Sequence, residues 1–144
     1  MIRVTPEVID PRDLVLSVSG EAIGGVATFF GTVRAENAGK EVVAVEYHAY
    51  PSMAEKTLEE IGREMGRGFS VLRVALVHRT GRLEIGEISL GIAAGAPHRH
   101  QALGAVAYAI ERVKLVVPIW KHEYYQDGSA WLEPSAPRPA GEGG

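Results

Sequence analysis

Four cations stand where their chemistry needs an explanation: Arg34, Arg99, Lys114 and Lys121. Between Pro97 and His122, Arg99, Arg112, Lys114 and Lys121 face Glu111 alone, a local +3 in a chain of formal net charge −3, so the remainder carries −6. Such a segment suits a phosphate or carboxylate. Arginine grips an oxyanion through paired N–H groups and lysine supplies compact charge. A helix opening at Pro97-His98-Arg99 would also aim unpaired backbone N–H groups outward. His98, His100 and His122 add donors or protons. A second stretch, Phe29-Phe30-Gly31-Thr32-Val33-Arg34, is an apolar run ending in a charge before a glycine-containing turn, and strand ends are good places for sites. The plain alternative is an exposed arginine at a strand end. A third, His78-Arg79-Thr80-Gly81, reads as a strand end with a turn.

Several chemistries are excluded by residue type. The chain has no cysteine, so disulfides, thiolate metal sites and a cysteine nucleophile or persulfide are absent, and any sulfur chemistry must import its sulfur. His98 and His100, two apart on a helix, diverge by about 200° and do not suit chelation of one metal ion. No G-x-S-x-G, GxGxxG or GxxxxGK[ST] pattern occurs. Trp120, Tyr124 and Tyr125 suit either ring stacking or a core or subunit contact.

The elements that must position these residues follow from periodicity and punctuation. A strand over Ile2–Thr5 precedes a helix capped by Asp10, opened by Pro11 and ended by Gly20. The run from Gly24 to Arg34 is expected to form a hairpin with Val42–Tyr50 through the Asn37-Ala38-Gly39-Lys40 turn. Pro51 opens a helix to about Gly66. Strands are expected over Val71–His78, Leu83–Ile85 and Glu87–Ala94. The longest helix candidate runs from Pro97 to Val117, with Pro118 past its end. Ile119–Gln126 alternates like a strand, Asp127-Gly128 turns, and Ser129–Leu132 returns as its partner.

At about 100° per residue, Ala102, Leu103, Val106, Ile110, Val113 and Val117 form one apolar stripe on the long helix, with Arg99 inside it and Lys114 at its edge. A charge aimed at a core costs several kcal/mol unless it has a partner or a cavity. Either a pocket lies there, or both side chains snorkel to solvent or pair with a carboxylate such as Glu46 or Glu123.

At 144 residues, 46% of them hydrophobic, the chain is expected to fold as one α+β domain over residues 1–133. A mostly antiparallel sheet is backed by helices, and a Pro-, Ala- and Gly-rich flexible tail covers 134–144. The charge balance argues against nucleic acid. The lack of a long apolar run argues against a membrane span, and a cytoplasmic protein is expected.

With these stretches laid out, the sequence from about Gly24 to Trp131 resembles the large, catalytic subunit of molybdopterin synthase. The motifs occur in order. They are Phe30-Gly31-Thr32-Val33-Arg34, Tyr47-His48-Ala49-Tyr50-Pro51-Ser52-Met53-Ala54 and His78-Arg79-Thr80-Gly81-Arg82-Leu83-Glu84-Ile85-Gly86-Glu87. His98-Arg99 opens a helix, and Lys114-Leu115-Val116-Val117-Pro118-Ile119-Trp120-Lys121 is the most specific of the set. Departures from the family pattern fall at His48, Leu103 and His122.

The resemblance implies an α/β hammerhead fold and a sulfurtransferase of molybdenum cofactor biosynthesis. Sulfur would pass from the C-terminal glycine thiocarboxylate of a small ubiquitin-like subunit to cyclic pyranopterin monophosphate, giving the dithiolene of molybdopterin. It further implies a homodimer of this chain within a heterotetramer, with no cofactor and no metal of its own. Carried over by position, substrate contacts fall on Thr32, Val33, Arg34, His98, Arg99, Lys114, Lys121, His122 and Glu123. The catalytic role falls on Lys114, with Lys121 beside it. Two other classes compete: an anion-binding module without catalysis, and a structural protein whose groove receives an extended peptide tail.

Overall fold

The computed structural model describes residues 1–132, and the expected tail at 134–144 lies outside them. The elements run β1 (Ile2–Thr5), α1 (Pro11–Val18), β2 (Gly25–Thr32), β3 (Glu36–Asn37), β4 (Lys40–Ala49), α2 (Pro51–Phe69), β5 (Arg73–Arg79), β6 (Gly81–Glu84), β7 (Ile88–Ala96), α3 (Arg99–Val116), β8 (Ile119–Tyr125) and β9 (Gly128–Leu132). They form an α+β fold of two sheets rather than one. The first has the order β1-β5-β7-β2, antiparallel except where β1 lies parallel to β5. In the second, β4 carries β8 and then β9 on one edge and the short β3 and β6 on the other.

Local chemistry accounts for the helix starts. Asp10 Oδ1 accepts from the Arg12 N–H at 2.9 Å and Pro11 occupies the first turn of α1, where a missing N–H costs nothing. Pro51 opens α2 in the same way. Pro97 does not open α3; it precedes the N-cap, which is His98 in an extended conformation. Gln101 Oε1 reaches back to accept from the His98 N–H at 3.0 Å, so one of the donors expected to point outward is already used.

The first sheet is covered on both faces. α1 packs Leu14 and Val18 against Ala75, Val77 and Ala93 on one side. On the other, α2 and α3 bury Leu58, Ile61, Met65, Ala102, Ala105, Val106, Ala109 and Val113 against Leu76, Ile92 and Ala94. The buried stripe of α3 is therefore largely alanine, which lets its backbone approach the sheet and α2 closely. Leu103, expected in that stripe, is 61% exposed. The wheel angle was right for Ala102, Val106 and Val113, but the packing centre lies toward the small residues.

The expected hairpin between the Gly24–Arg34 run and Val42–Tyr50 does not form. β2 pairs with β7 over its whole length, and only Glu36 and Asn37 pair back onto β4. A register shift at Gly31/Thr32 ends the β2 ladder. The Val33 N–H then donates to the Glu87 carbonyl, and the Gly86 N–H to the Val33 carbonyl. Val33, buried with Val42, Val45 and Leu83, is the pivot by which the chain leaves one sheet for the other.

Candidate functional site

The pivot places a small pocket where the two sheets meet. Thr32, Val33 and Arg34 come from the end of β2, Glu36 and Asn37 from β3, Val45 and Tyr47 from β4, and Lys121 and Glu123 from β8. Strand register explains the convergence: Val45 lies opposite Glu123 and Tyr47 opposite Lys121, and residues paired across a ladder share a face. The pocket holds about 40 Å³. At roughly 10–15 Å³ per water, that is the room of an oxyanion, well short of a fused ring system.

The walls carry Arg34 and Lys121 against Glu36 and Glu123. Lys121 Nζ lies 3.2 Å from Glu123 Oε2 and its side chain stays 35% exposed, whereas the Glu123 side chain is 2% exposed. Burial pushes the Glu123 carboxyl upward, but hydrogen bonds from Asn37, Tyr125 and Lys121 outweigh it and hold the group below the usual carboxylate range. Glu123 is thus a fixed anion. Arg34, Arg99 and Lys114 form no ion pair among the described residues, so their charge is available to a ligand.

Of the residues singled out from sequence, Thr32, Val33, Arg34, Lys121 and Glu123 are brought together, and the others are not. His98 and Arg99 sit against the opposite end of β2: a Cβ on Gly25 would lie 3.1 Å from the Arg99 Cα. At ~3.3 Å per residue β2 spans about 23 Å, so within one chain Arg99 cannot share the pocket with Arg34. Arg99 and Lys114 are both exposed, so of the alternatives open from the stripe their side chains reach solvent past its edge. Lys114 occupies the last turn of α3, just before the Val117-Pro118 segment that leads into β8, where a cation also complements the helix dipole. The His98 and His100 rings do not diverge; they stack with centroids 6.0 Å apart, because His98 is extended rather than helical.

His122 belongs to the other face of β8. It pairs with Glu46 and with Trp131 in the ladders, and its ring stacks on Tyr124 at 4.6 Å and lies 4.4 Å from Trp131. There His48 Nε2 lies 3.1 Å from Glu46 Oε1, and the Tyr124 hydroxyl donates to the same oxygen at 3.1 Å. These contacts, His48 first, hold the Glu46 carboxyl below its ordinary range. An open cleft of about 440 Å³ continues this face, lined by His48, Ala49, Tyr50, Trp120 and Trp131. The aromatic residues were visible in the sequence, but their separation from Lys121 follows only from strand alternation. Asn37 carries only a turn signal in the sequence, yet its amide donates to both Glu123 oxygens, at 2.9 and 3.1 Å.

The pocket thus lies where the two sheets of an α+β fold meet, with Arg34 and Lys121 set against Glu36 and Glu123 on its walls. The chain belongs to the MoaE family: the family model described as MoaE protein matches residues 4–115. A molybdopterin synthase catalytic subunit from Halalkalibacterium halodurans is 49% identical over 109 residues, covering 76% of this chain and 70% of that one. The crystal structure of molybdopterin synthase from Staphylococcus aureus superposes with a TM-score of 0.88 at 39% identity, covering 92% of this chain and 96% of that one. The fold is also shared with a complex of subunits 1 and 2 of the molybdopterin-converting factor from Helicobacter pylori, with a TM-score of 0.75 at 21% identity, covering 98% and 96%. No described helix is long and apolar enough to cross a membrane.

Proposed function

We propose that this chain is the catalytic subunit of a molybdopterin synthase. It moves sulfur from the thiocarboxylated C-terminal glycine of a small ubiquitin-like protein onto cyclic pyranopterin monophosphate. A C–S bond forms on the substrate as a C–O bond at the same carbon breaks and its oxygen leaves protonated, and water then cleaves the acyl–sulfur bond, returning the glycine as a carboxylate. The absence of cysteine fits sulfur that arrives on a second protein. The H. pylori complex supports such a partner.

What carries this reading is the meeting of Arg34 and Lys121, from distant segments, on one oxyanion-sized pocket in a chain of the MoaE family. Arg34 and Lys121 hold the substrate phosphate, with Thr32 and Val33 shaping the floor. Lys114 meets the sulfur-bearing terminus, where its ammonium orients the thiocarboxylate anion or protonates a leaving oxygen. The ring of the substrate extends beyond so small a pocket. His98 and Arg99, far along β2, reach it from a second copy of the chain, in a homodimer that carries a small subunit at each end. This assembly works in the cytoplasm.

The test is reconstitution. The chain, the thiocarboxylated carrier and cyclic pyranopterin monophosphate are mixed, and the products are followed by mass analysis. A mass gain from two sulfur atoms on the pterin is expected; tight pterin binding with no sulfur transfer would leave only the anion-binding module.

A further inference from the structure

Glu123 is the most completely engaged side chain of the pocket. Its Oε1 accepts from Asn37 Nδ2 at 2.9 Å and from the Tyr125 hydroxyl at 2.8 Å, while Oε2 accepts from Asn37 Nδ2 at 3.1 Å and faces Lys121 Nζ at 3.2 Å. A carboxylate that is 2% exposed and carries these donors has little left for a substrate. Of its partners Lys121 alone is a cation lining the pocket.

The donors reach Glu123 for identifiable reasons. Tyr125 follows it by two positions on β8 and so shares its face. Asn37 comes from the two-residue β3, held by a tight turn in which Ala38 and Gly39 have φ of 51° and 80°, the left-handed pair a two-residue hairpin requires. Lys40, the ladder partner of Asn37, places its Nζ 4.9 Å from the centre of the Tyr125 ring. The turn thus brackets both donors.

We propose that Asn37 and Tyr125 are positioning residues that fix the Lys121 ammonium in the pocket through the Glu123 carboxylate. This rests on the role given to Lys121 above. A carboxylate released from its donors turns about its side-chain torsions and takes the ammonium with it, and displacement of a binding group by about 1 Å can cost on the order of a hundredfold in rate.

The experiment uses the full chain labelled with 13Cε-lysine. Its lysines are Lys40, Lys56, Lys114 and Lys121, and Lys121→Arg assigns the signal of interest. In the unsubstituted protein the two ε-methylene protons of Lys121 are expected to be inequivalent, as in an immobilised side chain. Asn37→Ala and Tyr125→Phe should each collapse that inequivalence, leave the Lys56 and Lys114 signals in place, and lower kcat/KM for sulfur transfer about tenfold. Tyr125→Phe removes a single oxygen and guards against a fold lost in Asn37→Ala. A Lys121 signal unchanged in both variants overturns the proposal, as does movement of all lysine signals together with a fall in thermal midpoint. If the unsubstituted protein transfers no sulfur, the enzymatic reading fails, while the lysine signals still decide whether Asn37 and Tyr125 anchor Lys121.

Discussion

At the scale of single residues, the cations divide by how they are held. Lys114 is exposed and without an ion pair among the described residues, so Lys114→Ala should change folding stability by no more than about 0.5 kcal/mol. Dithiolene formation in that variant is nevertheless expected to fall at least about a hundredfold with carrier binding retained. Mass analysis beside a carrier pull-down checks this, and normal turnover would remove Lys114 from the mechanism. Arg34→Ala should weaken binding of the cyclic phosphate most at low ionic strength, with the deficit shrinking as salt screens the lost charge. Calorimetric titration across a salt series reads that trend; a deficit independent of salt would assign Arg34 to folding instead. The individual cations were legible as unusual because their density contrasts with an otherwise acidic chain. Asn37 was not legible, since an Asn in an Asn-x-Gly turn looks the same whether or not a carboxylate lies under it.

At the scale of elements, punctuation and alternation predicted α1, α2, β8 and β9 closely, because Pro, Gly and capping residues act locally. Pairing was harder. β2 and β4 are consecutive long strands joined by a turn signal, yet β2 binds β7, a choice made by side chains far away in sequence. Close approach of backbones makes part of that choice. A Cβ on Gly95 would lie 2.1 Å from the Val18 carbonyl oxygen, and one on Gly24 would lie 2.2 Å from that of Pro97. Gly95→Ala should therefore force α1 away from β7 and cost about 1–3 kcal/mol, seen as a lower urea midpoint. Leu58→Ala, at a fully buried position of α2, should cost about 2–5 kcal/mol. Leu103→Ser, on the outer side of α3, should stay within about 0.5 kcal/mol, a contrast that a plain helical wheel would not anticipate.

At the scale of the whole molecule, His78 ties the two sheets to pH. It is buried on β5, its Nδ1 lies 2.8 Å from the Arg79 carbonyl oxygen, and its ring meets that of Tyr47 edge-on at 5.1 Å. Burial pushes its pKa from 6.5 down to about 4, against the smaller opposing pull of the carbonyl. The unfolded chain therefore binds a proton that the folded one refuses between these values. Stability from this group is complete above pH 6.5 and drains as pH falls toward 4, by up to about 3 kcal/mol. Urea titrations at stepped pH should trace the loss, and His78→Gln should flatten it; an equal slope in both proteins would place the acid sensitivity elsewhere. The site is only partly legible at this scale too, because Arg34 and Arg99, two cations of like chemistry, stand at opposite ends of one strand. The alternation of β8 has an outcome of its own. Lys121 and Glu123 serve the cavity while Trp120, His122 and Tyr124 serve the outer aromatic wall. A saturation scan selected for cofactor synthesis should therefore trace a sawtooth along this stretch, intolerant at every second codon. The residues between them, Trp120, His122 and Tyr124, pack instead on Tyr50, Trp131 and Glu46.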